Sequence, residues 1–284
     1  MSENTHRVAL ITDSTADIPP ELAAKYGIIV QPLYVVWSGE TLRDGVDITN
    51  AAFYERIQRD PEHPKTSQPT PTDFSRLVLA CGCQEALIIT ISAALSGTAN
   101  SALQAAQVAD IPVRVEDSRS VSMGLGWQVL AAAHAREAGG DLDAMVSAAR
   151  AVRDKQRAIF TVDTLEFLHR GGRIGGAARF LGTVLQLKPV LAIDSATGRV
   201  EAVERARTRR KAVKRVIEIA FEGIEPSRPL HVAVVHAAAS EDAKALLAEI
   251  LAQRTPVEHL VGELGPVLGI HGGPGLVGIC VYGE

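Results

Sequence analysis

Short apolar runs alternating with helix-patterned stretches constrain the fold of this chain more than any other feature. Val8–Thr12 is a continuous apolar run and reads as a buried parallel strand. Asp17 stands where a helix N-cap is expected, with Pro19 and Pro20 in the first turn and Gly27 closing after Tyr26. Ile28–Trp37 is strand-like, and Thr49 is placed to cap a helix over Asn50–Arg59. A helix near Thr72–Ala80, a strand over Ala86–Ile91, a helix over Ala99–Ala109 and a strand over Val113–Glu116 follow. Two more helices, near Val121–Glu137 and Leu142–Lys155, are separated by Gly139–Gly140.

The second half changes character. Ala158–Val162 and Pro189–Ile193 read as strands flanking a glycine-rich segment with a short helix, and Thr197–Gly198 as a hairpin turn into Arg199–Ala206. Thr208–Phe221 presents Val213, Val216, Ile217, Ala220 and Phe221 at amphipathic spacing. Leu230–Val235 is a strand, and Ser240 is expected to cap a helix through Gln253. Val257–Gly262 and Leu276–Tyr282 show no crossover helix between them, which predicts antiparallel or edge strands. The pattern predicts two α/β domains: residues 1–157 with a mainly parallel sheet, and residues 158–284 with a mixed one. The seam is soft, since the chain can cross it more than once.

Composition narrows the function. With 46% hydrophobic and 22% charged residues among 284, the chain has the profile of a soluble globular protein. Its longest apolar runs are strand-sized, so no integral membrane segment is expected. The polar stretch Met1–Arg7 shows no secretory signal. Cys81, Cys83 and Cys280 form neither a disulfide framework nor a zinc-ligand pattern. A net charge of −4 argues against a nucleic-acid partner. The expectation is a cytoplasmic protein in a reducing compartment, with no metal.

Several polar segments follow strands, where open α/β sheets place ligands. Thr12–Asp17 puts Asp13 at a strand end, a position suited to a phosphate- or metal-handling carboxylate and equally to a turn. Lys65–Pro71 offers uncharged hydroxyls on a proline-stiffened backbone. Ile91–Thr98 runs from a strand into a helix N-terminus, where backbone N–H groups favour an anion. Leu168–Gly176 combines arginines with glycines, and Ile270–Gly275 sets His271 in a glycine–proline loop. Each alone reads as readily as a loop or cap. Ser-His-Asp order, paired carboxylates, a Walker loop and metal-spaced histidines are missing from the sequence, so no complete catalytic set emerges. The basic run from Arg205 to Arg215 reads either as a solvated helix face or as a docking surface for an acidic or phosphate-carrying partner.

Taken in order, Thr12–Asp17, Thr66–Pro69, Leu95–Thr98, Arg170–Ile174, Lys188–Leu191 and His271–Gly275 resemble the signature series of the DegV family, over about residues 7 to 282. The resemblance implies a two-domain α/β fold that buries an acyl chain in a tunnel. It implies a long-chain fatty acid such as palmitate as ligand, no cofactor and no turnover of its own. A fatty-acid kinase catalytic subunit is the implied partner. By motif, Thr66 and Ser96 would grip the carboxylate, with Ser67 and Gly97 adjacent and His271 approaching the same head group. Arg170, Arg173 and Arg207 would lie near the opening or the kinase. The sequence departs from the pattern at Gly272, where many relatives are expected to carry Thr or another small residue. Two other readings stand beside this one. One is a phosphotransferase or hydrolase using Asp13 and His271, and the other a regulatory or nucleic-acid-binding protein working through residues 205–215.

Overall fold

A computed structural model describes residues 7–181, 187–225 and 227–284; the stretch Met1–His6, part of the N-terminus read above, lies outside them. The first half runs β1 (Val8–Asp13), α1 (Pro20–Lys25), β2 (Ile28–Gln31), β3 (Tyr34–Trp37), β4 (Glu40–Arg43), α2 (Asn50–Arg59), β5 (Lys65–Ser67), α3 (Pro71–Ala80), β6 (Glu85–Thr90), α4 (Thr98–Gln107) and β7 (Val113–Asp117). Two long helices follow, α5 (Met123–Glu137) and α6 (Leu142–Lys155). The second half runs β8 (Arg157–Thr161), α7 (Glu166–Arg170), β9 (Lys188–Ile193), β10 (Val200–Ala206), α8 (Arg209–Ala220), β11 (Leu230–His236), α9 (Ser240–Leu251), β12 (Glu258–Glu263), α10 (Pro266–Gly272) and β13 (Val277–Gly283).

The strands form three sheets: a parallel sheet in the order β2-β1-β6-β7, a small antiparallel sheet β4-β3-β5, and a six-stranded mixed sheet β10-β9-β8-β13-β11-β12. β1 and β11 are buried at every position, which is why their sequences show no polar alternation. One apolar cluster packs α3 and α4 against the parallel sheet, and another packs α8 and α9 against the mixed sheet. The largest cluster lies between the two sheets and is filled by α5 and α6. α5 touches β1 and β6 on one side and β11 and β13 on the other. It is accordingly apolar nearly all round.

Four local expectations need correction. Asp17 caps no helix: it closes a 3-10 turn over Ser14–Ala16 in the left-handed region (φ 49°), and α1 begins at Pro20 after Pro19, with no side-chain cap. Ile28–Trp37 is two strands in different sheets, broken at Pro32, which cannot donate to a ladder. Ser240 is the first residue of α9, and neither it nor Ala239 supplies a side-chain cap. A short helix, α10, does lie between β12 and β13. Its glycines, at 269 and 272, hid it from a propensity reading. The strands it joins fit the expectation all the same: β12 is an edge strand, and β13 is antiparallel to both its neighbours.

Candidate functional site

A cavity of about 400 Å³ opens between the parallel-sheet half and the six-stranded sheet. Phe160, Ile193 and Val235 wall it from one side, and Leu33, Ile91 and Val121 from the other. Against this apolar lining stand seven polar or charged side chains: Thr66, Ser67, Gln68, Ser96, Ser122, Arg173 and His271. They come from five places in the sequence, brought together by β5, the loop entering α4, the start of α5, and the α7 and α10 segments.

Thr66 is held by β5, where it pairs with Val35 of β3. Its Oγ1 lies 2.9 Å from Nε2 of His271, near the end of α10. Close approach of α7 to α10 depends on two glycines. A Cβ on Gly171 would fall 2.1 Å from His271 Nδ1, and one on Gly273 would fall 2.3 Å from the Phe167 ring. Burial, then the positive charge of Arg173 and the neighbouring His63, push the His271 pKa down to about 4. The ring is therefore neutral at pH 7 and carries one N–H. Nδ1 is buried without a hydrogen-bond partner among the described residues. The Nε2–H tautomer fits best: it donates to Thr66 Oγ1, whereas the alternative would bury an N–H with no acceptor. Thr66 then has its own O–H proton free to donate into the cavity.

Ser96 sits in the loop between β6 and α4, where its Oγ lies 2.9 Å from Thr98 Oγ1 and accepts from the Thr98 N–H at 3.4 Å. Arg173 donates from Nε to the Leu95 carbonyl at 3.0 Å and from Nη1 to the Gly171 carbonyl at 2.8 Å, tying the second half to this loop. Gly97 does not line the cavity. The set combines hydroxyl donors, a neutral imidazole and one guanidinium, which suits a single small anion beside an apolar chain.

Buried and half-buried carboxylates support the frame instead of entering the cavity. Asp13 accepts from the backbone and hydroxyl of Thr15 and from the Ile91 N–H at 2.8 Å, and burial raises its pKa to about 6. Both its oxygens are engaged, and it does not line the cavity, so Asp13 and His271 form no catalytic pair there. Asp17 accepts from the Gly265 N–H at 2.9 Å and Asp44 from the Val267 N–H at 3.4 Å, so together they hold the start of α10. Burial raises Asp17 to about 8 and Asp44 to about 6. Asp17 also bonds Ser122 Oγ at 2.6 Å, and Ser122 lines the cavity. Sequence reasoning missed Asp44 and Ser122, whose partners lie far along the chain, and it placed Gln68 in a motif without a role. Among the described residues, no group of three or more His, Cys, Asp or Glu side chains is placed to hold a metal ion.

The outlying arginines are not part of this constellation. Arg170 is exposed and ion-paired with Glu166, and Arg207 is exposed with no hydrogen bond or ion pair among the described residues; neither lines the cavity. Much of the basic run is internally neutralised. Arg209 pairs with Asp163 and Asp242, Arg215 with Glu204 and Glu218, and Arg205 stacks over Phe180. This favours the solvated-face reading over a phosphate-backbone surface.

Similarity to known proteins converges on one family. A DegV protein of Streptomyces coelicolor is 40% identical over 283 residues, covering 98% of this chain and 99% of that one. A DegV family protein from Thermus thermophilus, described as fatty-acid binding, superposes with a TM-score of 0.91 at 39% identity, covering 98% of this chain and all of that one (100%). DegV of Bacillus subtilis, described as a fatty-acid-binding protein, gives a TM-score of 0.90 at 33% identity over 99% of this chain and 100% of that one. The model of the DegV family, described as uncharacterised proteins, matches residues 7–284. This chain belongs to the DegV family.

Proposed function

We propose that this protein binds one long-chain fatty acid, with the acyl chain in the cavity and the carboxylate at Thr66 and Ser96, where His271 orients the Thr66 hydroxyl and Ser67 and Gly97 flank the head group. One observation carries the reading: hydroxyl and imidazole groups converge on an otherwise apolar cavity of about 400 Å³. The fatty-acid binding described for the Thermus thermophilus and Bacillus subtilis relatives supports it. At about 0.8 kcal/mol per buried CH₂, a palmitoyl tail has a gross driving force of about 12 kcal/mol. Hydrogen bonds to the carboxylate add about 1.5–3 kcal/mol each and fix its orientation.

In this reading the protein turns nothing over and needs no cofactor. It works in the cytoplasm, presenting the carboxylate to a separate kinase subunit near the Arg170, Arg173 and Arg207 side of the molecule. The parallel and small antiparallel sheets use strands up to Asp117 and the six-stranded sheet begins at Arg157, which supports two domains with a boundary close to the 1–157 and 158–284 division. Native mass spectrometry of the protein as purified tests the central claim. A bound species with the mass of a C14–C18 fatty acid is expected. Delipidated protein should regain it and unfold at higher temperature when palmitate is added, because a ligand that binds only the native state stabilises it. No bound lipid and no thermal shift with palmitate would overturn the proposal.

A further inference from the structure

The hydroxyls assigned to the head group belong to separate parts of the fold: Thr66 to the small antiparallel sheet, and Ser96 to a loop leaving the parallel sheet. Among the described residues, a single hydrogen bond joins the Lys65–Thr70 strand and loop to the Ser92–Ser101 segment. Gln68 Nε2 donates to Ser101 Oγ at 3.0 Å. The bridge joins the starts of two helices, and Gln68 itself is exposed. On one side, Gln68 precedes Pro69 and a capping box in which Thr70 and Asp73 exchange hydrogen bonds at the start of α3. On the other, Ser101 lies in the first turn of α4 and is only 2% exposed.

The Gln68 carboxamide also accounts for Gly97. The backbone there is ordinary (φ −76°, ψ 8°), so no left-handed conformation calls for glycine. A Cβ would instead fall 1.9 Å from Gln68 Oε1 and 2.6 Å from Cδ. The amide takes the space a Cβ at 97 would fill, while its nitrogen bonds Ser101.

We infer that Gln68 is a positioning residue that sets the spacing between the Thr66 and Ser96 hydroxyls, and that Gly97 is glycine in order to seat its carboxamide. This rests on the fatty-acid reading above and deepens it. The Gln68 amide acts as a spacer: with it in place, both hydroxyls aim at one carboxylate. Without it, the two segments lose their common register, while the acyl cavity keeps its apolar walls.

The test is a double-mutant cycle read with two ligands. Palmitate carries the carboxylate; hexadecanol keeps the tail without the charge. Gln68→Ala and Gly97→Ala should each weaken palmitate binding about tenfold, which is about 1.4 kcal/mol. Hexadecanol affinity should change less than about twofold, a selectivity that a merely structural role would not produce. The double variant should bind palmitate no worse than Gln68→Ala alone, because removing the carboxamide removes what the alanine methyl strikes. Ser101→Ala should move palmitate affinity in the same direction. Additive losses in the double variant, or equal losses for both ligands, would overturn the inference, and so would a Gln68→Ala protein with wild-type palmitate affinity. Wild-type protein that binds neither ligand would overturn the fatty-acid reading itself, and this inference with it.

Discussion

Asp17 offers a quantitative test of how the site is held. It is half-buried, bonded to Ser122 and to the Gly265 N–H, and its pKa is raised from 3.8 to about 8, chiefly by desolvation of the carboxyl. A carboxyl whose folded pKa exceeds its unfolded one stabilises the fold fully below the unfolded pKa, and that stability is lost as pH rises through the folded pKa. Between pH 5 and 7 the native protein therefore holds a proton on Asp17 that the unfolded chain has released. Each such proton lowers stability by about 1.4 kcal/mol per pH unit. Asp17→Asn keeps the shape, can still accept from the Gly265 N–H and needs no proton. Its stability relative to wild type should rise by about 3 kcal/mol from pH 5 to pH 7. Urea unfolding followed by the fluorescence of Trp37 and Trp127, both fully buried, measures this at each pH. Opposing titrations cancel in the difference between variants; His271, lowered to about 4, is one. Parallel stability curves for the two proteins would refute the argument, because Asp17 would then be ionised in the native state.

Other outcomes follow from the same geometry. Thr66→Val removes the hydroxyl that bonds His271 while keeping the side-chain shape, and it should weaken palmitate binding by about 1.5–3 kcal/mol in calorimetric titration. Ala158 is buried and lines the cavity, so Ala158→Phe should shift the preference towards shorter acids; competition between decanoate and palmitate reads this directly. His231 sits between Glu258 at 3.1 Å and Glu284 at 3.0 Å. Burial opposes its charged form, but hydrogen bonds to the two carboxylates outweigh that and raise its pKa. The ion cluster should therefore stabilise the fold below about pH 6.5 and lose that effect as pH climbs through the raised value. A His231→Gln variant should show its largest deficit in urea unfolding at pH 6 and a much smaller one at pH 9.

The sequence was most legible where local chemistry and tertiary structure agree. Val8–Thr12 became the buried parallel strand β1, Thr49 does cap α2, and Gly198 makes the β9–β10 turn with φ 68°. Thr66, Ser67, Ser96, Arg173 and His271 all reached one cavity. What stayed hidden depends on long-range closure. Asp17 looks like a helix cap because its neighbours in sequence are prolines, yet its hydrogen-bond partners lie at 122 and 265. The small antiparallel sheet was invisible because Pro32 splits one apolar run between two sheets. Gln68 carried no signal of its own, since its meaning lies in the space over Gly97.

The placement of β13 has a kinetic consequence. The last strand in chain order enters the middle of the six-stranded sheet, between β8 and β11. Until it does, β8 to β10 and β11 to β12 are separate fragments with open edges, and one face of α5 is only partly covered. Closure must wait for pairings that span more than a hundred residues, such as Val281 with Arg157. Such non-local topology slows folding and leaves unpaired strands exposed to aggregation meanwhile. The cavity, roofed by residues just before and within β13, is among the last parts of the molecule to exist.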